Sequence, residues 1–98
     1  MILYWGFDMY TQLELNKLLG ENIKYYRELY NVGKNKNMRI TQEKLAELIN
    51  VSTSLIGNME SGKTKQGIST YTLYKISSVL NVSIEIFFIP IENKTASK

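Results

Sequence analysis

Apolar residues recur at helical spacing in five stretches of the chain, and polar or glycine-containing segments separate these stretches. Residues three and four positions apart lie on one face of an α-helix, so each stretch predicts an amphipathic helix with one buried face. The first helix is expected over about residues 14–30, with Gly20 interrupting its pattern. This interruption leaves open a separate short turn over residues 13–19 before the helix proper. The pattern as a whole predicts an all-α fold.

Small polar residues mark the starts of the other four helices, because their side chains can accept hydrogen bonds from free backbone amides of the first turn. These predicted N-caps are Thr41, Ser52, Ser69 and Ser83. The predicted helix ends are Asn50 and Asn81, which tolerate a left-handed backbone, together with Gly62 and the residue before Pro90. The helix after Thr41 is expected to bury an apolar face made of Leu45, Ala46, Leu48 and Ile49.

Both ends of the chain carry apolar residues that have no evident place in a five-helix core. They are residues 1–7 and 87–91. Two interpretations stay open, since these segments can pack against the helices or form the contact of a dimer, with a paired strand as one form of that contact. We divide the chain into an apolar N-terminal extension over 1–16, a folded domain over 17–90 and a polar tail over 91–98.

The composition argues against an enzyme. The 98 residues are enough for one small domain, and they include no Cys, no His and a single aspartate, Asp8. The chain therefore lacks the commonest nucleophile, general base and metal ligands, and we predict neither catalysis nor a bound cofactor or metal. No apolar run approaches the roughly 18 residues that span a bilayer. We expect a cytoplasmic protein with no membrane partner.

The positive charge is concentrated in one part of the chain. Residues 33–66 contain six basic and three acidic side chains, whereas the rest of the chain contains six of each. The whole net charge of +3 therefore lies in this part. It is placed where phosphate binding would need it, although a solvated basic face would have the same composition.

Residues 41–62 carry the pattern that points to a function. The sequence TQEKLAELINVSTSLIGNMESG predicts two short helices joined by a tight turn, and the basic run KTK follows it. A helix pair of this size is typical of a helix-turn-helix, in which the second helix enters the major groove of DNA.

Residues 23–88 resemble the helix-turn-helix domain of phage repressors and Cro proteins, also called the xenobiotic-response-element family. The matching positions are Arg27, Gln42, Leu45, Ala46, Val51, Ser52, Ile56, Glu60, Gly62, Lys63, Thr64 and Lys65, followed by LYKISSVLNVSIEIF in the fourth and fifth helices. The resemblance implies a five-helix, repressor-like bundle that binds double-stranded DNA. It also implies that Arg27 and Glu60 form an internal ion pair and do not contact DNA.

The resemblance assigns two sets of DNA contacts to this chain. The residues implied to face base edges are Thr53, Ser54, Gly57 and Asn58. Asn58 is the strongest candidate for a specific contact, because a carboxamide can form two hydrogen bonds with adenine. The residues implied to contact phosphates are Gln42, at the start of the second helix, and Ser61, Lys63, Thr64 and Lys65 after the third.

Two features depart from the family pattern. Gly57 stands in mid-helix where a larger or polar residue is usual, which indicates either close approach of the helix to DNA or a tolerated local weakness. The connection NVGKNKNMR, residues 31–39, is longer than the family norm. It places Lys34, Lys36 and Arg39 beside the start of the second helix, and whether they touch DNA stays open.

These observations predict a DNA-binding transcription regulator, repressor-like and acting as a homodimer on a two-fold operator. One alternative keeps the fold but makes the chain an antitoxin or restriction-control protein, which binds a protein partner as well as DNA. Another is a protein-interaction module that has lost DNA binding, because Thr53, Ser54 and Gly57 have short side chains or none. A small hydrolase is disfavoured, because no base–nucleophile pair can be identified.

Overall fold

The computed structural model describes residues 9–92 and is built from four α-helices and two 3₁₀-helices. The α-helices are α1 Gln12–Asn31, α2 Gln42–Ile49, α3 Thr53–Glu60 and α4 Thr70–Leu80. The 3₁₀-helices are Lys36–Met38 and Ile84–Phe88. Residues 9–92 contain no strand, so the all-α prediction is confirmed over this range.

The predicted count of five α-helices is wrong, because the last element is a 3₁₀-helix. Its backbone bonds join residues three apart, as from Ile86 N to Ser83 O at 3.1 Å and from Ile89 N to Ile86 O at 3.3 Å. Pro90 disfavours helical backbone angles at the residue before it. Ile89 is therefore extended, and the helix ends at Phe88 after five residues. Such short runs are the usual length of 3₁₀ segments.

Helix α1 is continuous through Gly20, and the separate turn over residues 13–19 does not exist. The helix begins after Thr11 in a capping box, in which Thr11 Oγ1 accepts from Glu14 N at 3.1 Å and Thr11 N donates to Glu14 Oε1 at 2.8 Å. This cap favours helix from Gln12 onward and outweighs the weak helix propensity of one glycine. The helix therefore runs across the expected boundary between residues 16 and 17.

The predicted caps of the other three α-helices are confirmed. Thr41, Ser52 and Ser69 accept hydrogen bonds from backbone amides three residues on, at 3.0, 3.1 and 3.1 Å. Asn50 and Asn81 end α2 and α4 in the left-handed conformation, with φ of 61° and 58°. Because these signals are local, the sequence alone predicts them well.

The core is one cluster to which every α-helix contributes. Its buried members are Leu19, Ile23, Ile40, Leu45, Ala46, Ile49, Ile56, Met59, Leu73, Ile76, Leu80 and Phe87. Phe87 is fully buried, so the C-terminal apolar segment does supply a core residue, while Phe88 and Ile89 stay exposed. Residues 1–7 lie outside the described range.

Leu48 does not join this core, contrary to prediction, and 49% of its surface is exposed. Successive helical residues point about 100° apart, so Leu48 faces away from its buried neighbour Ile49. No helix between residues 9 and 92 has the length and hydrophobicity needed to cross a membrane.

Candidate nucleic-acid interface

The turn between α2 and α3 fixes the direction of α3. Asn50 reverses the chain in its left-handed conformation, and Val51 N then donates to Ala46 O at 2.9 Å. Ser52 caps α3 through Leu55 N. Ala46 has 2% of its surface exposed, and its small side chain lets the two helices cross closely. The turn therefore sets which residues of α3 face outward.

A buried polar network joins α1, α2 and α3. Arg27 forms a bidentate ion pair with Glu60, from Nε to Oε2 at 2.7 Å and from Nη2 to Oε1 at 3.0 Å. Gln42 Nε2 donates to the same Oε1 at 2.9 Å. The side chains of Arg27 and Glu60 are 11% and 2% exposed, and the hydrogen bonds that Arg27 donates to the Glu60 carboxylate raise the pKa of Arg27. The predicted internal pair is confirmed. Arg27 therefore helps to fix the orientation of α1 relative to α3.

The outward-facing side chains of α3 are mainly polar, and Leu55 is also exposed, at 36%. Thr53, Ser54 and Asn58 are exposed, while Ile56 and Met59 bury the opposite face with at most 1% exposure. Ser54 and Asn58 are four residues apart and therefore share a side of the helix. The side chain of Asn58 makes no hydrogen bond within residues 9–92. Its carboxamide is thus free to bind a ligand.

Gly57 lies on α3 opposite the start of α2. A Cβ added to Gly57 would lie 3.6 Å from Gln42 Oε1, an ordinary van der Waals distance, and within 4 Å of no other atom that could crowd it. Packing within the described part of the protein therefore does not require glycine at this position. Gln42, a predicted phosphate ligand, and Gly57, predicted to face the bases, therefore lie side by side.

The start of α2 has free backbone donors beside Gln42. Thr41 accepts from the amides of Lys44 and Leu45, and the amides of Gln42 and Glu43 have no acceptor within residues 9–92. Free amides and the helix dipole favour an anion at such a position. Gln42 itself is half-buried, and one of its two amide hydrogens is used by Glu60.

The loop after α3 exposes most, but not all, of the predicted phosphate ligands. Lys63 and Lys65 are exposed and form no ion pair within residues 9–92. Ser61 is exposed, and its hydroxyl donates to Asn58 O at 3.3 Å. Thr64 differs, because its hydroxyl oxygen is buried without a hydrogen-bond partner in the described range. Of Thr64, only the backbone amide, which has no acceptor within residues 9–92, remains as a donor for a phosphate.

The long connection between α1 and α2 is tied to the body of the protein. Asn31 holds Ile40 through both of its amide atoms, accepting from Ile40 N at 2.7 Å and donating to Ile40 O at 2.9 Å. Lys34 Nζ donates to Tyr30 O at 2.8 Å, and Arg39 Nε donates to Lys34 O at 3.0 Å. Two of the three cations in this connection therefore have partners within the protein, and Lys36 is exposed.

Three residues that position the site were not identified from the sequence. Asn31 orders the connection, Asn16 binds the loop after α3, and Lys75 donates to Ile49 O at 2.7 Å at the end of α2. A signal existed for Asn16, since it stands three residues before Leu19 and seven before Ile23, within the apolar stripe of α1. A polar residue in such a stripe is buried and needs a partner.

The described residues contain no group of three or more acidic side chains that could hold a metal ion. The site presents hydrogen-bond donors, hydrogen-bond acceptors and the exposed Lys63 and Lys65.

Comparison with known protein families identifies a match. A family model described as Helix-turn-helix, of Cro/C1 type, matches residues 34–87, which is more than half of the chain. The matched range holds α2, the turn, α3, α4 and most of the final 3₁₀-helix, and it begins after the end of α1. No curated protein matches the chain.

Proposed function

We propose that this chain, which belongs to the Cro/C1-type helix-turn-helix family of DNA-binding transcription regulators, is a repressor that binds a two-fold operator as a homodimer. The observation that carries the proposal is the exposed polar face of α3, which the turn at Asn50 and the Arg27–Glu60–Gln42 network hold in one orientation. A rigid helix with free polar side chains is suited to the major groove, where each base pair presents its own pattern of donors and acceptors.

Base recognition is assigned to Thr53, Ser54 and Asn58. The free carboxamide of Asn58 can donate to and accept from one adenine. The hydroxyls of Thr53 and Ser54 can donate or accept, and the Thr53 methyl group can touch a thymine methyl. Their exposure on the outer face of α3 supports this assignment.

Gly57 is assigned to close approach between α3 and the base edges. No packing within residues 9–92 requires a glycine here, and a glycine in mid-helix lowers stability by about 1 kcal/mol relative to alanine. The fold does not require a glycine at this position, so the loss of stability needs another explanation. DNA that occupies the space where a side chain would lie provides one.

Phosphate binding is assigned to two places on either side of α3. The first is the start of α2, where the free amides of Gln42 and Glu43 meet a phosphate and the second amide hydrogen of Gln42 adds a contact. The second is the loop after α3, where Ser61, Lys63, Lys65 and the backbone amide of Thr64 would contact one DNA strand. Contacts of this kind give affinity and register and depend strongly on salt concentration.

Dimerisation is proposed because one domain presents a single α3 and covers only one half-site. Two domains on a two-fold axis place their α3 helices in successive major grooves, about one helical turn apart. The exposed apolar residues Phe88 and Ile89, with 45% and 40% of their surface exposed, support a contact at the C-terminal end. Repression then follows from occupancy of the operator in the cytoplasm, where the dimer would exclude other proteins from the DNA.

Selection of binding sites from a random pool of DNA duplexes tests this function. We expect an enriched two-fold sequence whose half-sites are about one helical turn apart. Binding to the selected duplex should weaken steeply with salt and should exceed binding to random duplexes by about 10³-fold or more. Absence of any enriched sequence would contradict the proposal and would favour the alternative of a protein-interaction module.

A further inference from the structure

The first half of α1 lies along the loop that follows α3. A Cβ added to Gly62 would lie within 3.9 Å of the Cα, Cβ and Cγ atoms of Lys17. A Cβ added to Gly67 would lie 3.4 Å from Gln12 Oε1 and 3.5 Å from its Nε2. These two contacts, five loop residues apart, show that α1 flanks the loop over most of its length.

Asn16 is the polar centre of this contact. It is 1% exposed, and its Nδ2 donates to Thr64 O at 2.8 Å and to Gln66 O at 3.0 Å. Its Oδ1 accepts from Gln12 Nε2 at 3.0 Å. Both hydrogens of the carboxamide are therefore used to hold two carbonyl groups of one loop. No other side chain donates to the backbone of residues 63–67 within the described range.

The two carbonyls that Asn16 holds lie on either side of Lys65, and the first of them follows Lys63 directly in the chain. Both lysines are exposed, and neither has an acidic partner within residues 9–92. Their positions are therefore determined by the backbone that carries them. A backbone that is ordered before binding loses less conformational entropy when its side chains engage a ligand.

We infer that Asn16 is a positioning residue for DNA backbone binding, which holds the loop so that Lys63 and Lys65 meet phosphates in a fixed register. The inference rests on the proposed function. Asn16 lies outside residues 34–87, so it is not part of the matched family pattern but of the helix that precedes it. In this chain the start of α1 thus supports the DNA-binding loop but does not itself contact DNA.

A thermodynamic cycle on the full chain tests the role of Asn16. Lys63→Gln with Lys65→Gln is introduced into the unchanged chain and into Asn16→Leu, and binding to a random-sequence DNA duplex is measured by fluorescence anisotropy. If Asn16 positions the lysines, replacing them should weaken binding in both backgrounds. The fold-change should be about five times smaller in the Asn16→Leu background than in the unchanged chain. Equal fold-changes in both backgrounds overturn the inference, since a merely structural role leaves the two effects additive.

Asn22→Leu is the matched control. Asn22 is also buried on α1, at 0% exposure, and its Nδ2 donates to Leu18 O at 3.0 Å, but unlike Asn16 it does not bond to the loop of residues 63–67. In this background the lysine substitutions should have their full effect. Coupling as large as with Asn16→Leu would attribute the result to general loosening of α1 and overturn the inference.

Gln12→Ala provides a second variant if circular dichroism shows that Asn16→Leu is unfolded. It removes the hydrogen bond to Asn16 Oδ1 while the buried carboxamide stays in place, and a coupling of about twofold is expected. Additivity in Gln12→Ala would then overturn the inference. If the lysine substitutions change nothing in the unchanged chain, the proposed phosphate contact of the loop is itself wrong, a result distinct from additivity.

Discussion

Gly20 of α1 crosses the backbone of Met59 at the end of α3 so closely that a Cβ added to Gly20 would lie 1.9 Å from Met59 O. No pair of non-bonded heavy atoms approaches to that distance, so the crossing exists only because residue 20 has no side chain. The same crossing brings α1 beside Glu60 and allows its ion pair with Arg27. Of the two glycines in mid-helix, Gly20 is therefore required by the fold and Gly57 is not.

We expect Gly20→Ala to destabilise the protein by about 1–3 kcal/mol or more, because the helices must separate to accommodate the methyl group. Gly57→Ala is the matched control and should stabilise the protein by up to about 1 kcal/mol, since its methyl group meets no atom closer than 3.6 Å. Urea unfolding curves of the two variants measure both changes.

Gly57→Ala also tests the proposed approach to DNA. The stabilised variant should bind its selected operator more weakly, because the methyl group occupies space assigned to the base edges. Unchanged operator affinity would leave Gly57 as a tolerated weakness in the helix.

The helix-turn-helix could be predicted from the sequence because its signals are local. Thr41, Asn50 and Ser52 each act within three or four residues of themselves, so their roles follow from neighbouring positions alone. The pair of Arg27 with Glu60 spans 33 residues, and only the family resemblance indicated it.

Other features depend on partners far along the chain. Asn16 bonds to carbonyls 48 and 50 residues away, and Lys75 bonds to a carbonyl 26 residues away. A periodic pattern can show that a residue is buried but not what it meets. For the same reason the crossing at Gly20 followed only from the packed helices.

The ion pair between Arg27 and Glu60 should contribute strongly to stability when one partner alone is removed. Arg27→Ala leaves the carboxylate of Glu60 buried, with a side chain 2% exposed, and should cost about 3–5 kcal/mol. Arg27→Met combined with Glu60→Leu should recover much of this loss, because no charge is then left buried. Thermal unfolding distinguishes the variants, and a loss below about 1 kcal/mol in Arg27→Ala would indicate that solvent screens the pair.

Replacing Lys63 and Lys65 with glutamine should weaken binding to all DNA sequences alike. The slope of log K against log salt concentration should fall in magnitude by about one for each lost phosphate contact. The control is Lys94→Gln with Lys98→Gln, which makes the same change in net charge in the C-terminal tail. An unchanged slope after substitution of Lys63 and Lys65 would remove the loop from the interface.

The assembly should depend on the exposed apolar residues at the C-terminal end. Phe88→Asp is expected to shift the protein from dimer to monomer in sedimentation at micromolar concentration, because it places a charge in the proposed contact. Leu29→Asp alters a similarly exposed residue, 51% against 45%, and should leave the dimer intact.

The apolar segment 1–7 is the other candidate for the dimer contact. A Phe88→Asp variant that remains dimeric would contradict the C-terminal contact. Deletion of residues 1–7 would then show whether the N-terminal segment supplies it.

The most direct test of the account is the effect of Asn58→Ala on specific and random DNA, measured side by side at one salt concentration. Asn58 is exposed on α3 and makes no side-chain hydrogen bond within residues 9–92, so its loss should not disturb the fold. We expect binding to the selected operator to weaken by about 1–3 kcal/mol and binding to random duplexes to stay nearly unchanged. Equal losses on both DNAs, or no loss on either, would contradict the claim that the exposed face of α3 recognises the base sequence.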